Sequence, residues 1–575
     1  MIEGIPASPG IAVGVVFLFN REIATVEERR LKASQVEGEV ERFLEAVDKA
    51  KQEFREIKEK VKLEIGPENV KIFDSYLLIL EDDLAVEQTV SDIRSQKLNA
   101  EVVFFRNMSR IADMIERVQD SYMSERSADV RDVKRRVLDK LMGVTHTGIA
   151  DLPAQSIIVA HDLSPSDTAQ IDRDRILGFA TDVGGPTSHT AILALALQTP
   201  AVVGLKDITH RVRTGDAIVL DGTRGTVEIN PSKTALKRYE EQKQILSQAT
   251  RELLSLKDEA ARTSDDYSVE LAANVEFAGE VAAVQSSGAR GVGLYRTEYL
   301  YLVKESLPSE QEQVEAYRFL AESLAPDPVV IRTLDLGGDK FLSPIKTPTE
   351  INPFLGWRGI RFCLARQDLF EVQLRAIFQA NTKANIRVMF PMITTVAEFR
   401  QARDMAENVQ RDLIAKGLTP DVPVEIGAMI ETPSAALTAD VLAKEADFFS
   451  IGSNDLIQYL LAIDRVNEKI AYLYEPFHPS VIRTISQVIF EAHNHGIWVG
   501  MCGEMASDPA SAILLLGMEI DELSTSPMLV PRIKRAIRSV SFKEAHQTAV
   551  EALEMSDAAA IKKMIRERFA NVLDA

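Results

Sequence analysis

The stretch Asp182-Val-Gly-Gly-Pro-Thr-Ser-His189-Thr-Ala-Ile-Leu-Ala-Leu-Ala-Leu197 places a histidine where a glycine-rich turn changes into a helical pattern. The apolar run Ile176–Thr181 before it indicates a strand, and Thr187 or Ser188 is suited to cap the helix that follows. His189 is therefore predicted in the first helical turn, where unpaired backbone N–H groups and the helix dipole favour an anion. A phosphate on its imidazole would be stabilised there, although a lone histidine can equally be structural.

The composition is that of a globular protein with more than one core. The chain has 575 residues, enough for roughly two to four domains, and 46% hydrophobic against 26% charged residues is ordinary for a folded protein. A formal net charge of −20 disfavours nucleic acid and anionic membranes as partners and permits a basic protein partner. Only Cys363 and Cys502 are present, which predicts no disulfide framework and a reducing compartment. Since neither a signal-peptide pattern nor an apolar run of roughly 18 residues occurs, we expect a cytoplasmic protein without membrane insertion.

An α/β domain is predicted at the amino-terminal end, divided by a helical insertion. The run Ile11–Phe19 indicates a buried strand. Strand patterns resume only much later, at Ser156–Ala160, Ala217–Leu220 and the hairpin-like Gly222–Asn230. Because the first strand needs partners, we expect it to join the later ones. Residues 1–31 and 144–230 would then form one α/β domain.

Residues 32–143 carry a helical pattern and are predicted to form the inserted subdomain. The apolar positions assigned to one face of its first long helix are Val40, Phe43, Leu44, Val47, Phe54, Ile57 and Val61. Acidic residues follow at Glu68, Asp74, Glu81, Asp82 and Asp83. Apolar neighbours accompany them at Tyr76, Leu77 and Leu78. Such acidic residues usually form a solvated face, and the alternative is a docking surface for a basic protein.

A long connector helix is predicted over residues 231–262. Ser232 is suited to cap it, and apolar positions recur to about Ala261. About 30 helical residues would span about 45 Å. The polar Thr263–Asp266 then breaks the pattern, which indicates a stiff connector with a flexible joint.

Strand-like runs alternate with helical stretches over residues 263–575, which predicts a (β/α)8 barrel. The eight runs are Val269–Val275, Gly291–Tyr295, Val329–Thr333, Ile386–Phe390, Val424–Ile430, Asp447–Ile451, Trp498–Met501 and Asp521–Thr525. Polar residues follow several of these runs. The carboxyl ends of the strands form the active-site face of such barrels, so we expect these residues to converge.

The residue types at the strand ends suit a small phosphorylated acid bound together with a metal. The arginines are Arg296, Arg332, Arg358 and Arg465. Their forked, permanently charged groups bind carboxylate and phosphate oxygens. Glu431 and Asp455 offer the hard oxygen ligands that Mg²⁺ prefers. Any single arginine can instead form a structural ion pair, but four cations and two carboxylates on one rim favour a binding site.

These motifs resemble those of one family over nearly the whole chain. Gly-Gly-x-Thr-Ser-His-Thr around His189 resembles the phosphohistidine domain of the phosphoenolpyruvate-utilising enzymes. The barrel motifs that resemble the phosphoenolpyruvate site of the Enzyme I family are Gly293–Glu298, Arg332–Lys340, Asn352–Arg358, Glu431-Thr-Pro, Ser450–Gln458, Asp464–Arg465 and Gly500–Glu504. Enzyme I enzymes are the phosphoenolpyruvate–protein phosphotransferases that begin the bacterial sugar phosphotransferase system.

The resemblance implies a role for each of these positions. His189 would accept the phosphoryl group of phosphoenolpyruvate and pass it to a histidine of the phosphocarrier protein HPr, docked on the acidic helical surface. The residues implied to bind phosphoenolpyruvate are Arg296, Arg332, Arg358, Asn454, Asp455 and Arg465. Glu431 and Asp455 would hold Mg²⁺, and two chains would pair through the barrel. Cys502 would protonate the methylene carbon of the pyruvate enolate, although a small buried thiol can also serve packing alone.

Three alternative assignments differ from this one in domain content or activity. Pyruvate phosphate dikinase and phosphoenolpyruvate synthase share the histidine domain and the barrel, but they need a large nucleotide-binding domain for which no segment remains. A nitrogen-regulatory paralogue would normally carry an additional amino-terminal sensory domain. A catalytically impaired regulator that binds a phosphocarrier without turnover is the third alternative.

The chain departs from the family next to the predicted phosphohistidine. Family members usually carry an arginine six residues after the histidine, where this chain has Leu195, and often a basic residue where it has Pro186. Leucine cannot neutralise a phosphoryl group. We therefore expect the barrel arginines and the helix terminus to provide more of the neutralisation.

Overall fold

A computed structural model divides the chain into two compact units, residues 1–249 and 250–575. The structure describes residues 2–19, 26–64, 71–82, 85–116, 121–143, 155–163, 175–185, 188, 190–191, 194, 199–302, 307–337, 350, 352–465, 467 and 469–573. Each unit is organised around its own sheet, and each is considered by itself.

The described part of the first unit contains an eight-stranded mixed sheet. Its strands are β1 (Ile2–Glu3), β2 (Ile5–Ser8), β3 (Ile11–Phe19), β4 (Ser156–Ala160), β5 (Ile176–Thr181), β6 (Ala201–Val203), β7 (Ala217–Asp221) and β8 (Thr226–Ile229). They lie in the order β1-β8-β7-β3-β4-β5-β6-β2. Strand β3 pairs in parallel with β4, with Val15 opposite Ser156, and antiparallel with β7. The prediction that the first strand joins the later ones is confirmed.

Between β3 and β4 the chain forms a helical bundle. Its helices within the described residues are α1 (Val36–Glu64), α2 (Lys71–Glu81), α3 (Glu87–Gln96), α4 (Ala100–Glu116) and α5 (Ser121–Met142). The predicted positions of α1 that are buried in the bundle core are Val40, Phe43, Val47, Phe54 and Ile57. Leu44 was wrongly placed on this face and is 40% exposed, because it lies beside the buried stripe of three- and four-residue spacing. The side chain of Val61 lies outside the described residues.

The helix Lys233–Ser255 follows the sheet and the short helix Ile208–Arg211. Ser232 Oγ accepts a backbone hydrogen bond of 3.1 Å, which confirms its predicted role as cap. The predicted continuation of this helix to about Ala261 is wrong. Beyond the end of this helix, the main chain is bound by a lysine of the barrel. Lys534 Nζ donates a hydrogen bond of 2.8 Å to the Lys257 carbonyl oxygen.

The described residues of the second unit form a closed barrel of eight parallel strands. The strands are β9 (Glu270–Val275), β10 (Val292–Arg296), β11 (Val329–Arg332), β12 (Ile386–Phe390), β13 (Ile426–Ile430), β14 (Phe448–Ile451), β15 (Trp498–Met501) and β16 (Glu522–Thr525). Each strand pairs with the next, and β16 closes on β9, where Glu522 lies opposite Glu270. Every predicted run matches a strand to within two residues, so the barrel prediction is confirmed.

Helices connect the barrel strands, and further helices follow the last strand. They are Val281–Ser287, Glu298–Leu302, Glu310–Leu324, Ile360–Ala365, Gln367–Ala380, Val396–Ala415, Pro433–Leu437, Ala439–Leu442, Ser453–Leu461, Pro479–Asn494, Pro509–Gly517, Val530–Arg538, Phe542–Glu554, Ala558–Arg568 and Ala570–Leu573. Hydroxyl caps begin two of the longer ones, where Ser309 and Thr395 accept backbone N–H groups. Within the described chain, none of the helices has the length and apolar character that crossing a membrane requires.

Candidate active site at the carboxyl ends of the barrel strands

A pocket at the carboxyl ends of the barrel strands brings together the predicted barrel residues. It is lined by Arg296, Arg332, Arg358, Glu431, Asn454, Asp455, Arg465 and Cys502, among others. Arg296 and Arg332 are the last residues of β10 and β11, and Glu431 directly follows β13. Parallel strands of a closed barrel end on the same face, so residues far apart in sequence meet here. The predicted convergence is confirmed.

Two arginines deep in the pocket are held by buried carboxylates. Arg332 Nη2 donates to Glu298 Oε1 at 2.9 Å, and its Nη1 lies 3.4 Å from Asp335 Oδ2. Arg358 binds the same Asp335 through Nε and Nη2, at 3.2 and 2.8 Å. The Nη2 atom of Arg358 also lies 3.3 Å from Asp455 Oδ2. Carboxylates and guanidinium groups therefore alternate along the wall of the pocket.

This alternation keeps both deep arginines charged. Burial opposes the charge of the Arg332 guanidinium, but Glu298 and Asp335 outweigh it and raise the pKa of Arg332 above its usual range. Burial also opposes the charge of Arg358, and Asp335 and Asp455 likewise raise its pKa. The pocket thus presents two fixed cations to any ligand that enters.

Glu431 is almost fully buried beside these arginines and is suited to hold a cation. Its Oε1 accepts a hydrogen bond of 2.6 Å from Met392 N. Burial, followed by the charges of Asp455 and Asp335, raises the pKa of Glu431 to about 8. A Cβ at Gly452 would come within 2.8 Å of Glu431 Oε2, so the glycine leaves the space over that oxygen free. A divalent cation beside Glu431 and Asp455 would offset the cause of the raised pKa.

Two further arginines lie at the rim and bind exposed carboxylates. Arg296 Nη1 bonds to Glu276 Oε1, and the two side chains are 38% and 56% exposed. Arg465 Nη1 donates to Glu504 Oε1 at 2.9 Å, with side chains 39% and 68% exposed. Water screens such pairs, so they contribute little to stability. A carboxylate or phosphate of a ligand can therefore approach either arginine at little cost in stability.

Cys502 lies in the pocket lining directly after β15. Its apolar neighbours are Leu294, Val330, Met389, Met429 and Phe448. Asn274 Nδ2 donates to the Cys502 carbonyl oxygen at 3.0 Å, and the thiol Sγ lies 3.8 Å from the Ile451 carbonyl oxygen. Burial raises the pKa of the Cys502 thiol to about 11, which keeps the sulfur protonated at neutral pH. A protonated thiol at this position can donate a proton into the pocket.

The predicted phosphohistidine lies in the first unit. His189 itself is outside the described residues, as are Leu195 and Pro186. Gly184, in the turn before it, adopts a φ of +120°, which favours glycine. Ser188 Oγ accepts a 3.4 Å hydrogen bond from the backbone N–H three residues later. This bond confirms that Ser188 caps the helix that follows.

The acidic surface of the bundle is described in part. Glu81 and Asp82 are exposed at the end of α2. Glu68 and Asp83 lie outside the described residues, and Asp74 lies in α2 with its side chain outside them. The role of this acidic surface in docking a partner protein stays a prediction.

The apolar part of the predicted docking surface needs a correction. Tyr76 is fully buried, and its ring centroid lies 5.0 Å from that of Phe54 inside the bundle. The ring fills the core between α1 and α2, so it cannot contact a partner. Leu77 is half-buried, and Leu78 is exposed and stays available.

Comparisons with known proteins agree with the architecture. Three family models match, described as PEP-utilising enzyme, N-terminal, over residues 3–126, mobile domain over 152–225 and PEP-binding domain over 250–542. The phosphoenolpyruvate-protein phosphotransferase of Haemophilus influenzae is 42% identical over 567 residues, which cover 99% of both chains. That of Geobacillus stearothermophilus is 42% identical over 568 residues, or 99% of this chain and 98% of the relative. This chain belongs to the phosphoenolpyruvate-protein phosphotransferase family.

A solved structure is similar to part of the chain. An NMR solution structure of Enzyme I is 38% identical, with a TM-score of 0.39, and the match covers 43% of this chain and all of that one.

Two of the acids that hold the arginines of this phosphotransferase, Glu298 and Glu276, were not predicted as site residues. Glu298 follows Arg296 by two residues, yet it binds Arg332. Glu276 lies just after β9 and binds Arg296. The only signal in the sequence was an acid close to a strand-end arginine, and that signal does not say which arginine the acid binds.

Proposed function

We propose that the chain transfers the phosphoryl group of phosphoenolpyruvate to its own His189 and then to a histidine of the phosphocarrier protein HPr, with release of pyruvate. This would be the first step of a sugar phosphotransferase system. The observation that carries the proposal is the barrel pocket, where four arginines, Glu431, Asp455 and Cys502 line one space. The mobile-domain family model, which covers His189, supports that residue as the acceptor.

The arginines account for binding of the substrate. Phosphoenolpyruvate carries a carboxylate and a phosphate, and guanidinium forks bind both. Arg332 and Arg358 are oriented in advance by buried carboxylates, so they need little reorganisation during the transfer. Arg296 would exchange its exposed glutamate for substrate oxygens, and Arg465 would bind them through the guanidinium nitrogens that do not bond to Glu504. Asn454 and Asp455 complete the proposed contacts.

Glu431 and Asp455 are proposed to hold Mg²⁺. Two carboxylates, completed by phosphate oxygens of the substrate and by water, are a usual arrangement for this ion. The raised pKa of Glu431, caused by its burial and by Asp455, and the lack of a Cβ at Gly452, which would crowd Glu431 Oε2, support a cation there. When bound, the ion supplies positive charge to the transferred phosphoryl group.

The chemical step then follows from the positions of the nucleophile and the acid. Neutral His189 attacks the phosphorus, so a P–N bond forms as the P–O bond to the enolate breaks. The enolate takes a proton on its methylene carbon from the Cys502 thiol, which burial keeps protonated. The products are pyruvate and phosphohistidine, and the phosphoryl group passes on to HPr.

Docking, location and assembly extend the proposal. The exposed Glu81, Asp82 and Leu78 support a surface for a basic carrier protein. The free cysteines Cys363 and Cys502 support a cytoplasmic location. Pairing of two chains through the barrel rests on the family resemblance.

Incubation of the full chain with radiolabelled phosphoenolpyruvate and Mg²⁺, without ATP, tests the proposal. We expect an acid-labile label on the protein, an equal amount of pyruvate, and loss of the label when HPr is added. His189→Ala should abolish labelling, whereas His210→Ala, a change of an exposed histidine in the same unit, should not. Labelling that persists in His189→Ala, or pyruvate release without phosphohistidine, would contradict the proposal.

A further inference from the structure

Glu504 is an exposed acid outside the pocket lining that bonds to two pocket residues. Its Oε1 accepts hydrogen bonds from Asn454 Nδ2 at 3.0 Å and from Arg465 Nη1 at 2.9 Å. Its backbone N donates to Asn454 Oδ1 at 2.8 Å. The reciprocal pair fixes the amide plane of Asn454, and the same carboxylate oxygen fixes one arm of the Arg465 fork.

The backbone on both sides of Glu504 packs against Ser453, the residue before Asn454. Met505 N donates to Ser453 Oγ at 3.4 Å. A Cβ at Gly503 would come within 2.0 Å of Ser453 Oγ, so the close approach requires glycine. The backbone of Glu504 is therefore fixed against the start of the helix Ser453–Leu461, although the side chain of Glu504 faces water.

We propose that Glu504 is a positioning residue for phosphoenolpyruvate, which orients Asn454 and Arg465 before the substrate arrives. The inference rests on the proposed role of those two residues in substrate binding. An arginine or asparagine that is free to rotate loses that freedom on binding, at a cost in affinity. Bonds made in advance remove much of this cost. Because Cys502 lies two residues before Glu504, the same turn also links the binding groups to the proton donor.

The charge of Glu504 makes the inference testable, because positioning and electrostatics act in opposite directions. A negative charge near a pocket for an anionic substrate repels that substrate. If Glu504 were only a surface charge, its neutralisation would lower the KM for phosphoenolpyruvate or leave it unchanged. If Glu504 positions Asn454 and Arg465, its neutralisation raises KM.

Steady-state kinetics of the full chain with Glu504→Ala and Glu504→Asp would measure this effect. We expect KM for phosphoenolpyruvate to rise about tenfold in both variants and kcat to change by at most about twofold, since positioning affects ground state and transition state alike. Glu504→Ala removes the charge and the acceptor oxygen, whereas Glu504→Asp keeps the charge but shortens the reach, so a rise in both variants assigns the effect to position. A lower or unchanged KM in Glu504→Ala would overturn the inference.

Glu551→Ala is the matched control. Glu551 also binds one arginine and one amide side chain, Arg568 at 2.7 Å and Gln547 at 3.0 Å, on a helix that contributes nothing to the pocket lining. We expect the KM of this variant to equal that of the parent chain. An equal rise in Glu551→Ala would show that loss of any such surface cluster has the same effect, and would overturn the role of Glu504.

Arg465→Ala separates this inference from the proposed function. If Arg465→Ala raises KM while the Glu504 variants do not, only the positioning role is wrong. If Arg465→Ala leaves KM unchanged, the proposed substrate site is wrong and the inference falls with it. In the double variant Glu504→Ala with Arg465→Ala, the increase in KM should be smaller than the product of the single increases, because Glu504 acts in part through Arg465. Fully multiplicative effects would contradict that mechanism.

Discussion

The deep and the rim arginines of the pocket carry the same charge but are held in different ways. Arg332 and Arg358 are buried and bind carboxylates that are themselves buried or nearly so. Arg296 and Arg465 are partly exposed and bind exposed glutamates. Breaking a buried pair leaves an uncompensated charge inside the protein, whereas breaking an exposed pair returns both charges to water. The deep pairs therefore belong to the fold as well as to the site, and the rim arginines are accessible to a substrate at little cost in stability.

This difference implies a division of roles between the deep and the rim arginines. The deep wall supplies charge whose position does not change when a ligand binds, which favours the transition state of a phosphoryl transfer. The rim supplies charge that is accessible from water, which favours capture of the anion. Four predictions test the division, from the largest expected effect to the smallest.

Cys502 occupies the buried, packed part of the pocket, and its loss should have the largest effect on chemistry. Cys502→Ala should reduce pyruvate release about 10²–10⁴-fold, the usual contribution of a general acid, while binding of phosphoenolpyruvate is kept because the arginines are intact. Calorimetric binding and a coupled pyruvate assay would measure the two quantities. Cys363→Ala, the other buried cysteine, is the control and should keep its pyruvate release. Near-normal turnover in Cys502→Ala would show that the thiol serves packing and is not the proton donor.

Arg332→Met should have the largest effect on stability. The change leaves Glu298 buried without its arginine, and removal of one partner of a buried pair typically costs about 3–5 kcal/mol. Denaturant unfolding of the barrel transition would measure the loss, together with substrate affinity. Loss of affinity without loss of stability would show that the deep pairs contribute no more to stability than the rim pairs, and would contradict the distinction between them.

Glu431 should make the stability of the metal-free protein depend on pH. Its pKa is raised from 4.5 to about 8 in the folded state, chiefly by burial, so between these values the folded protein holds a proton that the unfolded chain has released. The free energy of unfolding therefore decreases as pH rises through this window, and Mg²⁺ should restore it at the upper end.

Unfolding of the parent chain and of Glu431→Gln at pH 5 to 9, with and without Mg²⁺, would test this effect. The variant should lose this part of the pH dependence and the response to Mg²⁺. Glu522, with a pKa that burial raises to about 7, contributes with the same sign in both proteins and so cancels in the difference. Equal pH profiles for the two proteins would contradict the assignment of Glu431.

Arg296→Met should have the smallest effect on stability. Its partner Glu276 is exposed, so the free energy of unfolding should change by no more than about 1 kcal/mol, while KM for phosphoenolpyruvate rises. The matched variant is Arg332→Met, which removes the same charge from the deep wall. If Arg296→Met destabilises the barrel as much as Arg332→Met does, burial does not explain the difference between the two pairs.

Much of the site was predictable because, in a barrel of parallel strands, a residue that follows a strand in the sequence lies at the active-site end. Each of the eight strand-like runs became a strand, and the polar residues after them met at one end since all the strands are parallel. Predictions that depended on an exact boundary or face were weaker. The connector helix ends at Ser255, and Leu44 and Tyr76 occupy the opposite environments from those expected. Helical periodicity is tolerant at the edge of a stripe, so neighbouring apolar residues can be buried or exposed with the same pattern.

By itself, the amino-acid sequence determined the order of the elements and the chemical groups available at the strand ends. These depend on local periodicity and residue type, which are properties of the linear chain. Only the tertiary structure decided which acid holds which arginine, because an ion pair depends on distance through space. Glu298 lies two residues from Arg296 but reaches across to Arg332, and Glu504 joins Asn454 to Arg465 from a different strand end. Closure of the barrel sets those distances, and with them the difference between a buried pair that is part of the fold and an exposed pair whose arginine a substrate can reach.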